Sequence, residues 1–373
     1  MVRSVPTQTP LDGTYADQRV LVTGHTGFKG GWLTAWLERL GARVTGYALP
    51  APTEPSLFEA AAIGNACRHV VGDVQDLELL TSVVDEGDFD FVFHLAAQPI
   101  VRRSYQEPIE TLSTNVLGTA NVLEAVRRRG SPCTVVVITT DKCYENREWT
   151  YGYRETDRLG GHDIYSGSKA AAELVTRSYR DSFFPTARIA EHGVAVATAR
   201  AGNVIGGGDW ATDRIVPDIV RALADERDAE IRNPQSTRPW QHVLEPLAGY
   251  LLLGARMSAR ENGSAERYCT AWNFGPDPSG VASVRDLADL VVASWGSGTW
   301  VHTPESSPAH EAGRLMLSIE KARDLLGWAP RWDLADTVRH SIDWYKTYYG
   351  GASPEELRGV MDAQIDAYLD GQG

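Results

Sequence analysis

Short apolar runs alternate with segments of helical periodicity along the first two hundred residues. Arg19–Thr23 is a β-rich run ending at Gly24, and the apolar positions from Trp32 to Leu40 recur at helical spacing until Gly41. The same reading predicts strands over Arg43–Ala48, His69–Asp73, Phe89–Leu95, Thr134–Thr139 and Val194–Arg200. Helices are expected over Leu77–Val84, Ile109–Arg129 and Ser166–Phe184. The strands are apolar throughout rather than alternating, so both of their faces should be covered. Strand and helix in turn then predict an α/β protein with a doubly wound parallel sheet.

After Asn203 the pattern changes. Gly206-Gly207-Gly208 and several prolines break the alternation, which predicts a smaller, mixed α/β substrate domain over 206–241 and 276–350. The large domain is expected to span 17–205, with 242–275 returning to it as a helix (Glu245–Met257) and a strand (Ala271–Phe274). Residues 1–16 are polar and predict a flexible tail. Within 351–373, Pro354 opens a terminal helix running to Leu369, since proline suits a first helical turn.

Composition narrows the function class. The chain has 373 residues, 43% hydrophobic and 23% charged, ample for a buried core. Its net charge of −13 argues against a nucleic-acid partner. The basic run Arg127-Arg128-Arg129 suits the last turn of a helix. No apolar run approaches the roughly 20 residues of a membrane span, and no signal segment opens the chain, so a cytoplasmic protein without a membrane partner is expected. Cys67, Cys133, Cys143 and Cys269 show no paired spacing, which points to a reducing compartment and to no metal site.

The candidate chemistry lies at the ends of strands. Gly24-His25-Thr26-Gly27-Phe28-Lys29-Gly30 follows a strand and precedes a helix. Glycines there allow a tight turn, close backbone approach to a pyrophosphate, and an anion at a helix N-terminus. The turn therefore predicts a Rossmann-type dinucleotide site holding NAD. NADP stays open, because the second strand ends in Tyr47-Ala48-Leu49-Pro50 and lacks the ribose-binding acid. Asp73 would accept from the adenine amino group or cap a helix. Val74, Leu95, Ala96 and Ala97 complete the expected cofactor contacts, with Asn115 and Thr139.

Tyr165 and Lys169 stand four residues apart, hence on one face of a predicted helix. A tyrosine base needs its pKa lowered from about 10, and a nearby ammonium with a cationic nicotinamide ring would both favour the phenolate. Thr140, Asp141 and Lys142 follow the fifth strand at the edge where open α/β sheets bind ligands. Simple dehydrogenation needs one proton relay. A further acid and base beside it suggest elimination, whereas a loop salt bridge or a strand-end cap is the plainer account of the same residues.

On these and longer strings the sequence resembles the CDP-glucose 4,6-dehydratase branch of the extended short-chain dehydrogenases. The matching stretches are VTGHTGFKGGWL (22–33), HLAAQPIVRRSY (94–105), TNVLGTANVLEAVR (114–127), TDKCYENREW (140–149), GGHDIYSGSK (160–169), RAGNVIGGGDW (200–210), RPWQHVLEPLAGYLLL (238–253) and HEAGRL (310–315). The resemblance implies a nucleotide-sugar substrate, tightly held NAD and a homodimer formed through helices of the large domain. It also implies roles. Tyr165, aided by Lys169 and Thr140, would take the proton of the sugar 4-hydroxyl while hydride leaves C4. Asp141 would protonate the departing 6-hydroxyl, and Lys142 would take the C5 proton or merely orient the sugar. Asn203, Arg214 and Arg238 would meet the diphosphate, Gln98 and Arg102 the hexose, and Trp240, Gln241, His242, His310 and Glu311 the nucleotide end. The alternatives are the same reaction on another nucleotide-linked hexose, or a 4-epimerase or reductase, which would need Tyr165 and Lys169 but not the Asp141-Lys142 pair.

Overall fold

The computed structural model describes residues 11, 13–259, 265–277, 280–304 and 314–371. From the N-terminus the elements run β1 (Arg19–Thr23), α1 (Phe28–Arg39), β2 (Arg43–Ala48), α2 (Leu57–Ala60), β3 (Arg68–Val71), α3 (Leu77–Gly87), β4 (Phe91–His94), α4 (Val101–Gln106) and α5 (Pro108–Leu112). There follow α6 (Gly118–Arg129), β5 (Cys133–Ile138), α7 (Ile164–Phe183), α8 (Ile189–His192), β6 (Val194–Ala201), β7 (Val204–Ile205), α9 (Ile215–Ala224), β8 (Ala229–Ile231), β9 (Thr237–Pro239) and β10 (Gln241–His242). The chain ends with α10 (Leu244–Ser258), β11 (Ala271–Phe274), β12 (Val281–Ser283), α11 (Val284–Trp295), β13 (Trp300–His302), α12 (Leu334–Tyr349) and α13 (Pro354–Leu369).

Seven strands form one sheet in the order β11-β6-β5-β4-β1-β2-β3, every neighbouring pair parallel. The winding reverses between β1 and β4. At such a point the strand-to-helix connections diverge and leave a crevice at the carboxyl edge. One face of the sheet packs Trp32, Trp36, Leu251, Trp344 and Met361 into a core shared by α1, α10, α12 and α13. The other face packs Leu80, Val84, Val122 and Val126 of α3 and α6. Three two-stranded pairs, β7–β10, β8–β13 and β9–β12, lie outside the sheet.

Several boundaries differ from those expected, each for a local reason. The first helix starts at Phe28 rather than Trp32, because the glycine turn feeds straight into its first turn. The third strand stops at Val71. Gly72 runs so close to the Tyr47 ring that an added Cβ would lie 2.3 Å from it. The Ile109–Arg129 helix is α5 and α6 joined by a single π turn, Ser113–Leu117. The N-terminal tail ends sooner than 1–16: Leu11 and Tyr15 are buried, and the Tyr15 hydroxyl donates to Leu251 O at 2.6 Å. The C-terminal helix is not a loose end either. Leu357, Met361, Ile365 and Tyr368 of α13 are buried, and the Tyr368 ring meets Trp36 of α1 at 5.8 Å.

Candidate active site

The glycine turn fits a dinucleotide. Gly24 has φ +78°, and a Cβ there would lie 2.7 Å from Ala96 N; a Cβ on Gly30 would lie 2.1 Å from Gly24 O. Side chains at either position would collide with backbone, so the loop is as close to β4 as a chain can come. The N-terminus of α1 carries no side-chain cap and no acidic residue in its first turn, which leaves a positive end for a pyrophosphate. Lys29 sits in this first turn. Burial, then Arg214, lowers its amine to about 7, against the pull of Asp141. His25 is buried, with Nε2 2.7 Å from His69 Nδ1, and its ring fills the space that a Cβ on Gly46 would take.

Tyr165 and Lys169 lie in α7, whose N-terminus is capped by Asp163 accepting from Ser166 N at 2.9 Å. Both side chains are buried. Burial pushes the Tyr165 phenol up to about 12, outweighing a hydrogen bond with Thr140 that favours the phenolate. Burial also brings Lys169 down to about 8, while Glu173 one turn further on supports its charge. Without the cationic ring that the expectation included beside the ammonium, desolvation outweighs the effects that favour the phenolate. Lys169 Nζ donates to Ile138 O at 3.4 Å, facing the end of β5.

That strand end carries the second group. Asp141–Cys143 form a short 3-10 turn, with Thr140 capping it. Asp141 is buried, and its carboxyl is raised chiefly by desolvation, with Lys142, Thr140 and Lys29 pulling the other way. Its Oδ1 accepts from the Thr140 hydroxyl at 2.9 Å. Lys142 is partly buried on the same turn. A buried carboxyl whose pKa is raised, a threonine hydroxyl and a lysine thus share the edge with Tyr165.

A family model for GDP-mannose 4,6 dehydratase matches residues 21–341. The chain belongs to this family. It is 49% identical over 353 residues to the CDP-glucose 4,6-dehydratase of Salmonella typhimurium (strain LT2), covering 94% of this chain and 96% of that one. It is 30% identical over 339 residues to the dTDP-glucose 4,6-dehydratase of Streptomyces antibioticus, covering 88% and 92%. Among solved structures, MoeE5 in complex with UDP-glucuronic acid and NAD superposes with a TM-score of 0.71 at 26% identity, covering 88% of this chain and 98% of that one. The dTDP-glucose 4,6-dehydratase of Bacillus anthracis, in complex with NAD, shares the fold with a TM-score of 0.71, 20% identity and coverages of 88% and 96%.

In this member of the 4,6-dehydratase family the other expected residues divide into two groups, and a third group was not expected. Leu95, Ala96 and Ala97, partly buried, follow β4 beside the glycine turn, and Ala96 N donates to the Thr23 hydroxyl at 3.2 Å. Arg214 pairs with Asp209 at 2.9 Å and interacts with Tyr165, so it stands in the site. Arg102 faces Asp213 at 3.6 Å, Asn203 lies between β6 and β7, and Arg238 lies on β9 with Nη1 donating to Thr237 O. His310 and Glu311 lie outside the described residues.

In the second group the side chains already have packing or hydrogen-bonding partners inside the fold. Gln98 accepts from Ile100 N at 2.6 Å and donates to Thr111 at 2.8 Å, which fixes the orientation of its amide. Gln241 is buried and donates to Phe274 O at 3.1 Å. His242 is wholly buried between Trp32 and Trp332, and Trp240 is buried too. Burial gives these three residues packing roles, while Gln241 Oε1, His242 Nε2 and Trp240 Nε1 have no hydrogen-bond partner among the described residues. Val74 is buried, packing so near Gly118 that a Cβ there would lie 2.6 Å from it. Asn115, on the π turn, accepts from Gln98 N at 2.8 Å and donates to Ser168 at 2.8 Å, tying the loop after β4 to α7. Asp73 accepts from Gln75 N at 2.9 Å; the cap of α3 is Asp76, not Asp73. Thr139 gives its hydroxyl to Glu173 at 2.5 Å.

The third group was missed. Glu173 and Arg200 form a wholly buried pair at 2.7 Å behind Lys169. Two signals were present: Glu173 continues the i, i+4 row of Tyr165 and Lys169, and Arg200 is a charge inside an otherwise apolar strand.

Proposed function

We propose that this chain converts CDP-glucose to CDP-4-keto-6-deoxyglucose by oxidation at C4, loss of water across C5 and C6, and reduction at C6, with NAD held at the turn before α1. The observation that carries this reading over an epimerase or reductase is Asp141. A buried carboxyl beside Tyr165, its pKa raised by desolvation, is suited to donate to a leaving hydroxyl, a task those enzymes do not have.

When bound, NAD supplies reversible hydride acceptance, so that C4 is oxidised and C6 is later reduced without net redox change. The rest falls to side chains. Tyr165 removes the proton of the 4-hydroxyl, with Thr140 hydrogen-bonded to the phenol and Lys169 one turn further along α7. A cationic nicotinamide ring bound there would favour the phenolate, against the effect of burial. The 4-ketone acidifies C5–H, Lys142 takes that proton, and Asp141 gives one to the C6 oxygen, which leaves as water. Lys29 and Arg214 offer cationic partners for phosphates at the mouth of the site.

The 49% identity with the Salmonella enzyme supports cytidine as the nucleotide, and the NAD complex of MoeE5 supports NAD over NADP. A cytoplasmic location suits a nucleotide-sugar substrate; the four cysteines are free, and among described residues no helix is long and apolar enough to cross a membrane. For the homodimer we propose the face formed by α5, the π turn and α7, where Ile109 is 73%, Leu117 59% and Leu174 52% exposed. A substrate domain built on the three strand pairs after Ala201 would close over the carboxyl edge. The test is incubation with a panel of nucleotide-glucoses, with the product followed by mass. CDP-glucose should lose one water; conversion to an isomer of equal mass, or preference for another nucleotide, would replace this reading.

A further inference from the structure

We infer that Tyr144, Arg200 and Glu173 form a buried strut that positions the Asp141-Lys142 turn for the loss of water; this rests on the dehydratase reading above. The turn is poorly held by its own hydrogen bonds. Lys142 N to Thr140 Oγ1, Cys143 N to Thr140 O and Tyr144 N to Asp141 O are all 3.4 Å long. Bonds of that length are weak, so the position of the acid and the amine must be set from outside.

Gly160 N donates to Cys143 O at 2.9 Å, and a side-chain attachment follows two residues after Lys142. Tyr144 Oη accepts from Arg200 Nη1 at 2.7 Å and donates to Asn273 Oδ1 at 2.8 Å, and the Arg200 guanidinium lies 4.9 Å from the Tyr144 ring. Arg200 Nη2 reaches Glu173 at 2.7 Å. Glu173 accepts in addition from Thr139 at 2.5 Å and Thr198 at 2.7 Å. Asn273 donates to Tyr153 O at 2.8 Å and Ser318 O at 3.1 Å, fixing the far end. The network therefore joins the ends of β5, β6 and β11 to α7 and to the loop after Lys142.

A buried ion pair is weak evidence for stability, since apolar residues of similar volume often serve as well. What an apolar pair could not do is hold a tyrosine hydroxyl, two strand threonines and a catalytic helix in one register. Glu173 is one turn from Lys169, and Tyr144 is two residues from Lys142. The strut thus sets the distance between the group that starts the oxidation and the pair that completes the elimination. Neither Tyr144 nor Arg200 touches substrate in this scheme; both are positioning residues. Oxidation at C4 uses Tyr165 and Lys169, held by α7 itself, and Thr140, which follows β5, so loosening the turn beyond Thr140 should fall chiefly on elimination.

The test uses the full chain loaded with cofactor and two substitutions, Tyr144→Phe and Asn273→Ser. The first keeps the ring, which stacks on Tyr153 at 5.2 Å, and removes only the hydroxyl. Single-turnover reduction of the cofactor should stay within about threefold of the parent. Uptake of solvent deuterium at C5 and release of water should fall by roughly tenfold to a hundredfold, the scale of an ångström-sized misplacement. Amides of residues 141–145 should exchange faster with solvent while those of α7 do not. Equal slowing of both half-reactions, or unchanged water release, would overturn the strut. A parent protein that consumes no nucleotide-hexose would instead overturn the dehydratase reading itself.

Discussion

Asp141 and Lys142 are neighbours in sequence, yet the chemistry asks opposite things of them, and their substitutions should separate. Asp141→Asn removes the donor to the leaving hydroxyl and leaves Tyr165 and Lys169 intact. C4 oxidation should persist, reduced cofactor should accumulate, and water loss should drop by roughly 10²–10⁴-fold, read by absorbance and product mass. Lys142→Met should leave oxidation in place and abolish solvent exchange at C5; persisting exchange would hand the base to another group. A different residue governs acid stability. Burial, with His69 second, lowers His25 from 6.5 to about 4, so the folded protein keeps it neutral while the unfolded chain protonates it. Its contribution is complete above pH 6.5 and fades as pH falls toward 4, by about 3 kcal/mol through linkage. His94 and His242 are lowered by burial in the same sense. His25→Gln should therefore flatten, without removing, the acid branch of stability, measured as urea midpoints across that window.

Among the elements, the turn between β1 and α1 is the least forgiving. Gly30→Ala would set a Cβ 2.1 Å from Gly24 O, a clash with backbone that no rotamer relieves. The expected cost is about 1–3 kcal/mol, with a marked loss of co-purifying cofactor, checked by calorimetry and by nucleotide content. This turn was legible in the sequence because glycine spacing is itself a backbone statement. So were β1, β2 and β11, whose apolar runs start and stop at polar or glycine residues. Less legible was direction. Gln98, Gln241 and His242 have the chemistry of ligand contacts, but whether a side chain faces the crevice or the core depends on strand pairing far away in the chain. β10 pairs with β7, and that pairing turns Gln241 and His242 inward. Glu173 and Arg200 were hidden for the converse reason: each looks solvent-seeking until its partner, 27 residues away, is placed beside it.

At the scale of the molecule, the exposed apolar residues on α5, the π turn and α7 predict self-association. Ile109→Glu, at a position 73% exposed, should cost the fold little and shift the protein toward monomer in sedimentation or size exclusion. If the variant stays dimeric, the contact lies elsewhere. A separate matter concerns how the chain is made. The outer side of α1 is closed by α13, through Trp36 on Tyr368, Arg358 donating to Ala35 O at 3.1 Å, and Arg39 pairing with Asp366. A ribosome delivers the first of these helices more than three hundred residues before the second. Throughout that interval Trp36 has no permanent cover, so the nascent chain must carry a sticky flank until translation is almost finished. A stalled or shortened message would then release not a smaller enzyme but a protein with an open seam beside its nucleotide turn.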